Sequence, residues 1–102
     1  MENRLPGADA NPYIAIAATL LSGYLGIEEH LERSPEAFGN AYLAQSTLPR
    51  TMAQALERLS ACTPARALLG EEFFQTFLRV KQQELDAFES VVTAWEREHL
   101  LL

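Results

Sequence analysis

A chain of 102 residues with 48% hydrophobic and 22% charged side chains has a globular composition, and Gly 5 with Pro 5 exclude a disordered polyelectrolyte or a collagen-like repeat. Its size allows one domain at most, burying roughly two-thirds of its unfolded surface. Lys+Arg 8 against Asp+Glu 14 leaves a net charge of -6 with no basic cluster, which argues against nucleic acid or an anionic membrane as partner, because basic side chains supply most of that affinity.

Asn11 before Pro12 reads as an N-cap and first helical position, since Pro lacks the N–H that would be orphaned there and its fixed φ suits the first turn. The helix that follows is expected over residues 12–31. Tyr13, Ile14, Ile16, Leu20, Leu21, Tyr24, Leu25 and Ile27 fall on every side of it, so it is expected to be buried nearly all round. Glu28, Glu29, Glu32 and Arg33 mark a more solvated end, and Ser34-Pro35 stops the helix. Pro35 to Pro49 hold Gly39, Asn40, Ser46 and Thr47 without a period and read as an irregular crossing segment, with no convincing strand.

Thr51 with Gln54 makes a capping box, and Met52, Ala55, Leu56 and Leu59 follow one helical face, which predicts a second helix over 51–60. Thr63-Pro64 repeats the cap-then-proline signal and opens a short helix over 64–69, closed by Gly70 at a C′ position. Glu71 and Glu72, suited to the positive end of a helix dipole, begin a long amphipathic helix expected over 71–98. Phe74, Leu78, Lys81, Leu85, Phe88, Val92 and Trp95 form its seam, widened by Phe73, Phe77 and Val91. That seam reads as a core face; Lys81 within it and the short run argue against a free-standing coiled coil. The fold class expected is all-α, with three main helices and a short one.

Chemistry-bearing residues are few. His30 and His99 have no neighbouring His, Cys or Asp at metal-ligand spacing and read as solvated histidines near helix ends. Cys62 is the sole cysteine, so no internal disulfide can form; with no His nearby it reads as a small helix-end residue rather than a nucleophile. No Ser/His/Asp set, P-loop or Gly-rich dinucleotide fingerprint occurs. The uncharged run from Ala10 to Ile27 is short for a membrane span and holds Asn11, Pro12, Gly23 and Gly26, and the start of the chain lacks the positive charge of a secretory signal. The expected location is the cytoplasm.

The segment Glu2-Asn3-Arg4-Leu5-Pro6-Gly7-Ala8-Asp9-Ala10-Asn11-Pro12-Tyr13 precedes the first helix, and here the chain resembles the glutamine synthetase family. In that family an R-x-E-x-R strand is followed by P-x-x-x-A-N-P-Y-L and a hydrophobic helix. Ala10-Asn11-Pro12-Tyr13, Ala17-Ala18, Gly23 and Gly26-Ile27 match, and the wording ENR-x-PGADANPY most resembles the γ-glutamylpolyamine synthetase-like branch. Downstream, Leu48-Pro49-Arg50-Thr51, Ala55-Leu56-Glu57, Leu69-Gly70-Glu71-Glu72-Phe73, Lys81 to Glu89 and Trp95-Glu96-Arg97 continue the likeness across essentially the whole chain.

The resemblance implies the carboxy-terminal helical part of an α+β catalytic domain, residues 1–11 being its motif segment. Enzymes of the family make γ-glutamyl phosphate from ATP and glutamate, then let ammonia or an amine attack it, with Mg2+ or Mn2+ neutralising phosphate charge. The full-length relatives act as ring-shaped oligomers with active sites between subunits. By the same resemblance Glu2 stands where the family places a metal-binding glutamate, and Arg4 where it places an arginine on the amino-acid substrate or the transferring phosphoryl group. The first Arg of the motif would precede Met1, and the family's other metal ligands and nucleotide site have no counterpart. The expectation is therefore a piece of a larger ligase, inactive alone, with no cofactor bound to it. Its expected partners are the remainder of the catalytic domain and, through an exposed apolar face of the first helix, a second copy. The other reading is a helical interaction module that has kept the family sequence and pairs through the Phe74 to Trp95 seam.

Overall fold

The computed structural model describes residues 2–36, 38–40 and 47–100. Among them all regular structure is helical: α1 (Pro12–Glu28), α2 (Met52–Ser60), α3 (Thr63–Leu69), α4 (Glu71–Glu89) and α5 (Ala94–His99). The fold is all-α, as expected. Of the crossing segment anticipated over Pro35 to Pro49, residues 37 and 41–46 lie outside the described residues, and the described remainder is neither helix nor strand. The chain divides into two compact units, Met1–Gln45 and Ser46–Leu102.

In the first unit α1 begins as the residue types dictate. The Asn11 side chain accepts hydrogen bonds from the backbone N–H of Tyr13 (2.9 Å) and Ile14 (3.3 Å), and Pro12 occupies the first turn. The helix ends at Glu28 rather than at residue 31. His30 adopts φ 51, its N–H reaches the Ile27 carbonyl at 3.1 Å and the Leu31 N–H reaches that of Gly26 at 2.9 Å. This is a Schellman termination with His in the left-handed position that glycine usually fills, a conformation His tolerates better than most side chains.

Burial nearly all round is not what α1 shows: none of its residues is buried within this chain. Tyr13 is 84% exposed, Leu20 70% and Ile27 74%; together with Ile16 and Tyr24 they recur every three or four residues and make one apolar stripe. Ile14, Leu21 and Leu25 on another side are half-buried. A helical pattern that is apolar everywhere demands partners on every side, and the exposed stripe of α1 has none among the described residues.

In the second unit both α2 and α3 pack on α4. The Thr51 hydroxyl accepts from the Gln54 N–H at 3.1 Å, while the Gln54 side chain reaches past Thr51 to the N–H of Arg50 at 3.0 Å. The cap of α3 falls one residue earlier than anticipated, at Cys62, with Thr63 and Pro64 both in the first turn. Gly70 closes α3 and opens α4 at once, at φ 86 and ψ 145. The buried side chains among the described residues are Leu56, Ala65 and Phe74, one from each of the three packed helices. Phe74 also lies under the Arg66 guanidinium, 4.9 Å from its ring centroid, and Arg66 pairs with Glu71 at 3.3 Å.

The single helix expected over 71–98 is two. Ser90 caps the end of α4, and Thr93 opens α5 with a complete capping box: its hydroxyl accepts from the Glu96 N–H at 3.1 Å and its own N–H donates to the Glu96 carboxylate at 2.8 Å. The β-branched Val91 and Val92 bridge the gap in non-helical conformation, so the seam ends with α4. Phe74, Leu78, Lys81 and Leu85 follow it as buried or half-buried side chains, whereas Phe88 is 75% exposed and Trp95 stacks on His99 in α5.

The Thr93 hydrogen bonds hold the Glu96 carboxyl below the usual glutamate range, the backbone donor first and the hydroxyl second. A depressed carboxylate pKa means that the box favours α5 above the unfolded-state value and loses that contribution as pH falls through the folded-state value. An NMR pH titration is therefore expected to give Glu96 a midpoint below that of Glu in a model peptide, with the Thr93 amide resonance moving in step; Thr93→Ala, which removes the hydroxyl and keeps the backbone donor, should bring Glu96 only part of the way back.

Candidate functional site

The motif segment is neither helix nor strand and leads into a turn, closed by the Ala10 N–H to Gly7 carbonyl bond at 3.1 Å and handed directly to the Asn11 cap. Glu2 and Arg4 meet there: the Arg4 Nε–H donates to Glu2 Oε1 at 2.8 Å. The pair is open to solvent, with side-chain exposure of 78% for Arg4 and 72% for Glu2.

Asn3, between them, does two things. Its carbonyl oxygen accepts from the Leu5 N–H at 3.1 Å, an Asx turn, and its amide donates to Thr19 Oγ1 at 3.1 Å. Thr19 in turn donates to the Ala15 carbonyl at 2.9 Å. Asn3 thus ties the segment to the side of α1, beside an open depression of about 260 Å3 also lined by Pro6, Ile16 and Leu20. Nothing in the spacing of the sequence singles out Asn3, because its partner is sixteen positions away.

What this arrangement can do chemically is limited. A divalent cation needs several oxygen ligands in near-octahedral order, and Glu2 offers one carboxylate that is already paired with Arg4. Among the described residues no group of three His, Cys, Asp or Glu side chains could hold a metal ion. The residues present do not fit a complete metal or nucleotide site. His30 sits at the end of α1 as a helix terminator, and the His99 ring lies 2.9 Å from the Trp95 carbonyl at the end of α5. Cys62 is half-buried as the residue before α3 and belongs to no metal-binding group among the described residues. No helix among the described residues is long and apolar enough to cross a membrane.

Comparison with known proteins supplies the context that this geometry lacks. The family model described as glutamine synthetase, catalytic domain, matches residues 1–100. The chain is 43% identical to the γ-glutamylethanolamide synthetase of Streptomyces coelicolor over 93% of its own length and 21% of that protein's. It is 40% identical to a glutamate–isopropylamine ligase of a Pseudomonas species, over 94% of the chain and 22% of the relative. It is 35% identical to the glutamine synthetase of Thermus thermophilus, over 98% and 24%. The chain therefore spans about a fifth to a quarter of the length of these relatives. No solved structure gives a significant match.

Proposed function

The chain belongs to the glutamine synthetase family, and on that premise we propose that it is the carboxy-terminal piece of an ATP-dependent carboxylate–amine ligase, inactive by itself. The complete enzyme joins glutamate to ammonia or an amine through γ-glutamyl phosphate, with ATP and Mg2+ or Mn2+, and works in the cytoplasm. The observation that carries this reading is the match to the catalytic-domain model over residues 1–100, against a site holding one exposed carboxylate and one exposed arginine. An organic amine is the favoured acceptor, since the relatives at 43% and 40% identity are named for ethanolamide and isopropylamine products or substrates.

In the complete ligase Glu2 contributes one carboxylate to the metal site, and Arg4 contacts the amino-acid substrate or the transferring phosphoryl group. Asn3 positions both by holding their segment against α1. The test is a chimera in which residues 2–100 replace the corresponding region of the Streptomyces coelicolor relative. Amine-dependent γ-glutamyl transfer is expected in the chimera and its loss in the Glu2→Ala and Arg4→Ala versions; an inactive but correctly assembled chimera overturns the reading. The purified chain alone is expected to form no hydroxamate from glutamate, MgATP and hydroxylamine. In that isolated chain Glu2→Ala and Arg4→Ala should each change folding stability by less than about 0.5 kcal/mol, because an exposed ion pair contributes little.

The remainder of the catalytic domain is the partner that the α1 stripe is built to meet. Without it, we expect a second copy to cover the Tyr13, Ile16, Leu20, Tyr24 and Ile27 side chains. Light scattering should show concentration-dependent association that Leu20→Ser weakens. A monomer at all accessible concentrations, with no binding of an apolar dye, would sink the idea.

A further inference from the structure

Between the start of α2 and the end of α4 the second unit carries an open furrow of about 500 Å3 whose apolar lining is Met52, Ala53, Leu85 and Phe88. Met52 and Phe88 are exposed, Phe88 at 75% the more so. The polar lining is Glu84, Glu89 and Thr51, with no basic residue. Glu84 is paired with Lys81 at 2.9 Å, while Glu89 takes part in no ion pair among the described residues. Asp86 and Glu89 both fall in the last turn of α4, where the carbonyl end of the helix is already negative, and no basic residue lies there to offset them. An apolar trough is thus joined to an uncompensated negative end.

From this geometry we propose that the α2–α4 furrow is a docking site for an amphipathic partner helix that buries apolar side chains on Met52, Leu85 and Phe88 and sets Lys or Arg against Glu84 and Glu89. Such a helix presents apolar residues at i, i+3, i+4 and i+7, spanning the trough in the helix-in-groove manner. Its flanking cations meet the carboxylates at the negative end of α4. A second copy of this chain is the poorer occupant, because the charged residues of α4 would face their own like. The proposal stands apart from the ligase reading: hydroxamate formation, or its absence, leaves it untouched.

The experiment is fluorescence anisotropy with the full chain and a labelled synthetic helix of about 18 residues carrying Leu on one face and Lys on its flanks. Saturable one-to-one binding is expected, falling with added salt. Phe88→Ala should weaken it by at least about tenfold, and the double variant Glu84→Gln with Glu89→Gln should weaken it and flatten the salt dependence. Phe88 is largely exposed, so circular dichroism should show the Phe88→Ala chain folded; the double Gln variant, which costs the fold no more than the solvent-accessible Lys81–Glu84 pair, carries the test if it is not. Leu20→Ser on α1 should leave the affinity unchanged. Equal binding of the same peptide with Glu in place of Lys would overturn the proposal, as would loss of binding with Leu20→Ser. So would self-association that Phe88→Ala abolishes, since the occupant would then be a second copy. Failure of the peptide to bind the chimera while binding the free chain would assign the furrow to the ligase's own polypeptide and overturn it too.

Discussion

Phe74→Ala is expected to destabilise the Ser46–Leu102 unit by about 3 to 5 kcal/mol, through the lost burial of the ring and the cavity left behind. A small domain is stable by only about 5 to 15 kcal/mol, so the loss is a large share of the whole. The effect is concentrated because the core is thin. Phe74 is 1% exposed, and the other buried side chains among the described residues are Leu56 and the small Ala65. The same ring is the surface on which the Arg66 guanidinium lies, so the truncation also removes a contact that joins α3 to α4. Thermal unfolding followed by far-ultraviolet circular dichroism measures the change. Phe73→Ala is the control: Phe73 is partly exposed and stacks on Phe77 at 5.9 Å within the same helix, so its loss should be clearly smaller. Equal melting of the Phe74→Ala chain and the parent would show that this ring is not what holds the three helices together.

Gly70→Ala is expected to cost about 1 to 3 kcal/mol, the strain of placing a side chain where only glycine is at ease. Gly70 stands at φ 86 and ψ 145, and it is at once the last cap of α3 and the first of α4. Its N–H donates to the Arg66 carbonyl at 3.1 Å and its carbonyl accepts from the Phe74 N–H at 3.0 Å, so the corner cannot relax without breaking a bond on one side. A Cβ added there would meet nothing within 4 Å, so the penalty is one of backbone conformation and not of crowding. That separates two explanations. Enlarging the side chain further, as in Gly70→Leu, should add little beyond the alanine penalty, whereas a steric cause would make the loss grow with size. Chemical denaturation of the three proteins decides between them.

These two residues also mark the limits of inference from residue order. Gly70 was legible as a helix boundary, because glycine after Leu69 and two glutamates after it are local signals. So were Asn11-Pro12 and Thr51 with Gln54, where the cap and its partner lie within four residues of each other. The likeness to the glutamine synthetase family was legible for a related reason, since ENR-x-PGADANPY and the later blocks are strings of adjacent residues. The break before Ala94 was written locally too, in Thr93 and Glu96. An apolar stripe that runs on in step through Val92 and Trp95 masks it, because periodicity counts positions and is blind to whether the backbone between them is helical.

By itself, then, the sequence determined the helices, most of their ends and the family, all of which rest on contacts between near neighbours along the chain. Only the tertiary structure decided which apolar residues are inside. Phe74 and Phe88 occupy the same seam of one helix, yet α2 and α3 meet α4 so as to cover the first and leave the second in solvent. Tyr13, Leu20 and Ile27 stand on the most apolar helix among the described residues and remain largely exposed. Spacing defines a face, and burial depends on what is placed against that face, which the physics of one helix cannot specify. The same holds for Glu2 and Arg4: local backbone brings them together, while Asn3 and Thr19 hold them to α1 from sixteen residues apart.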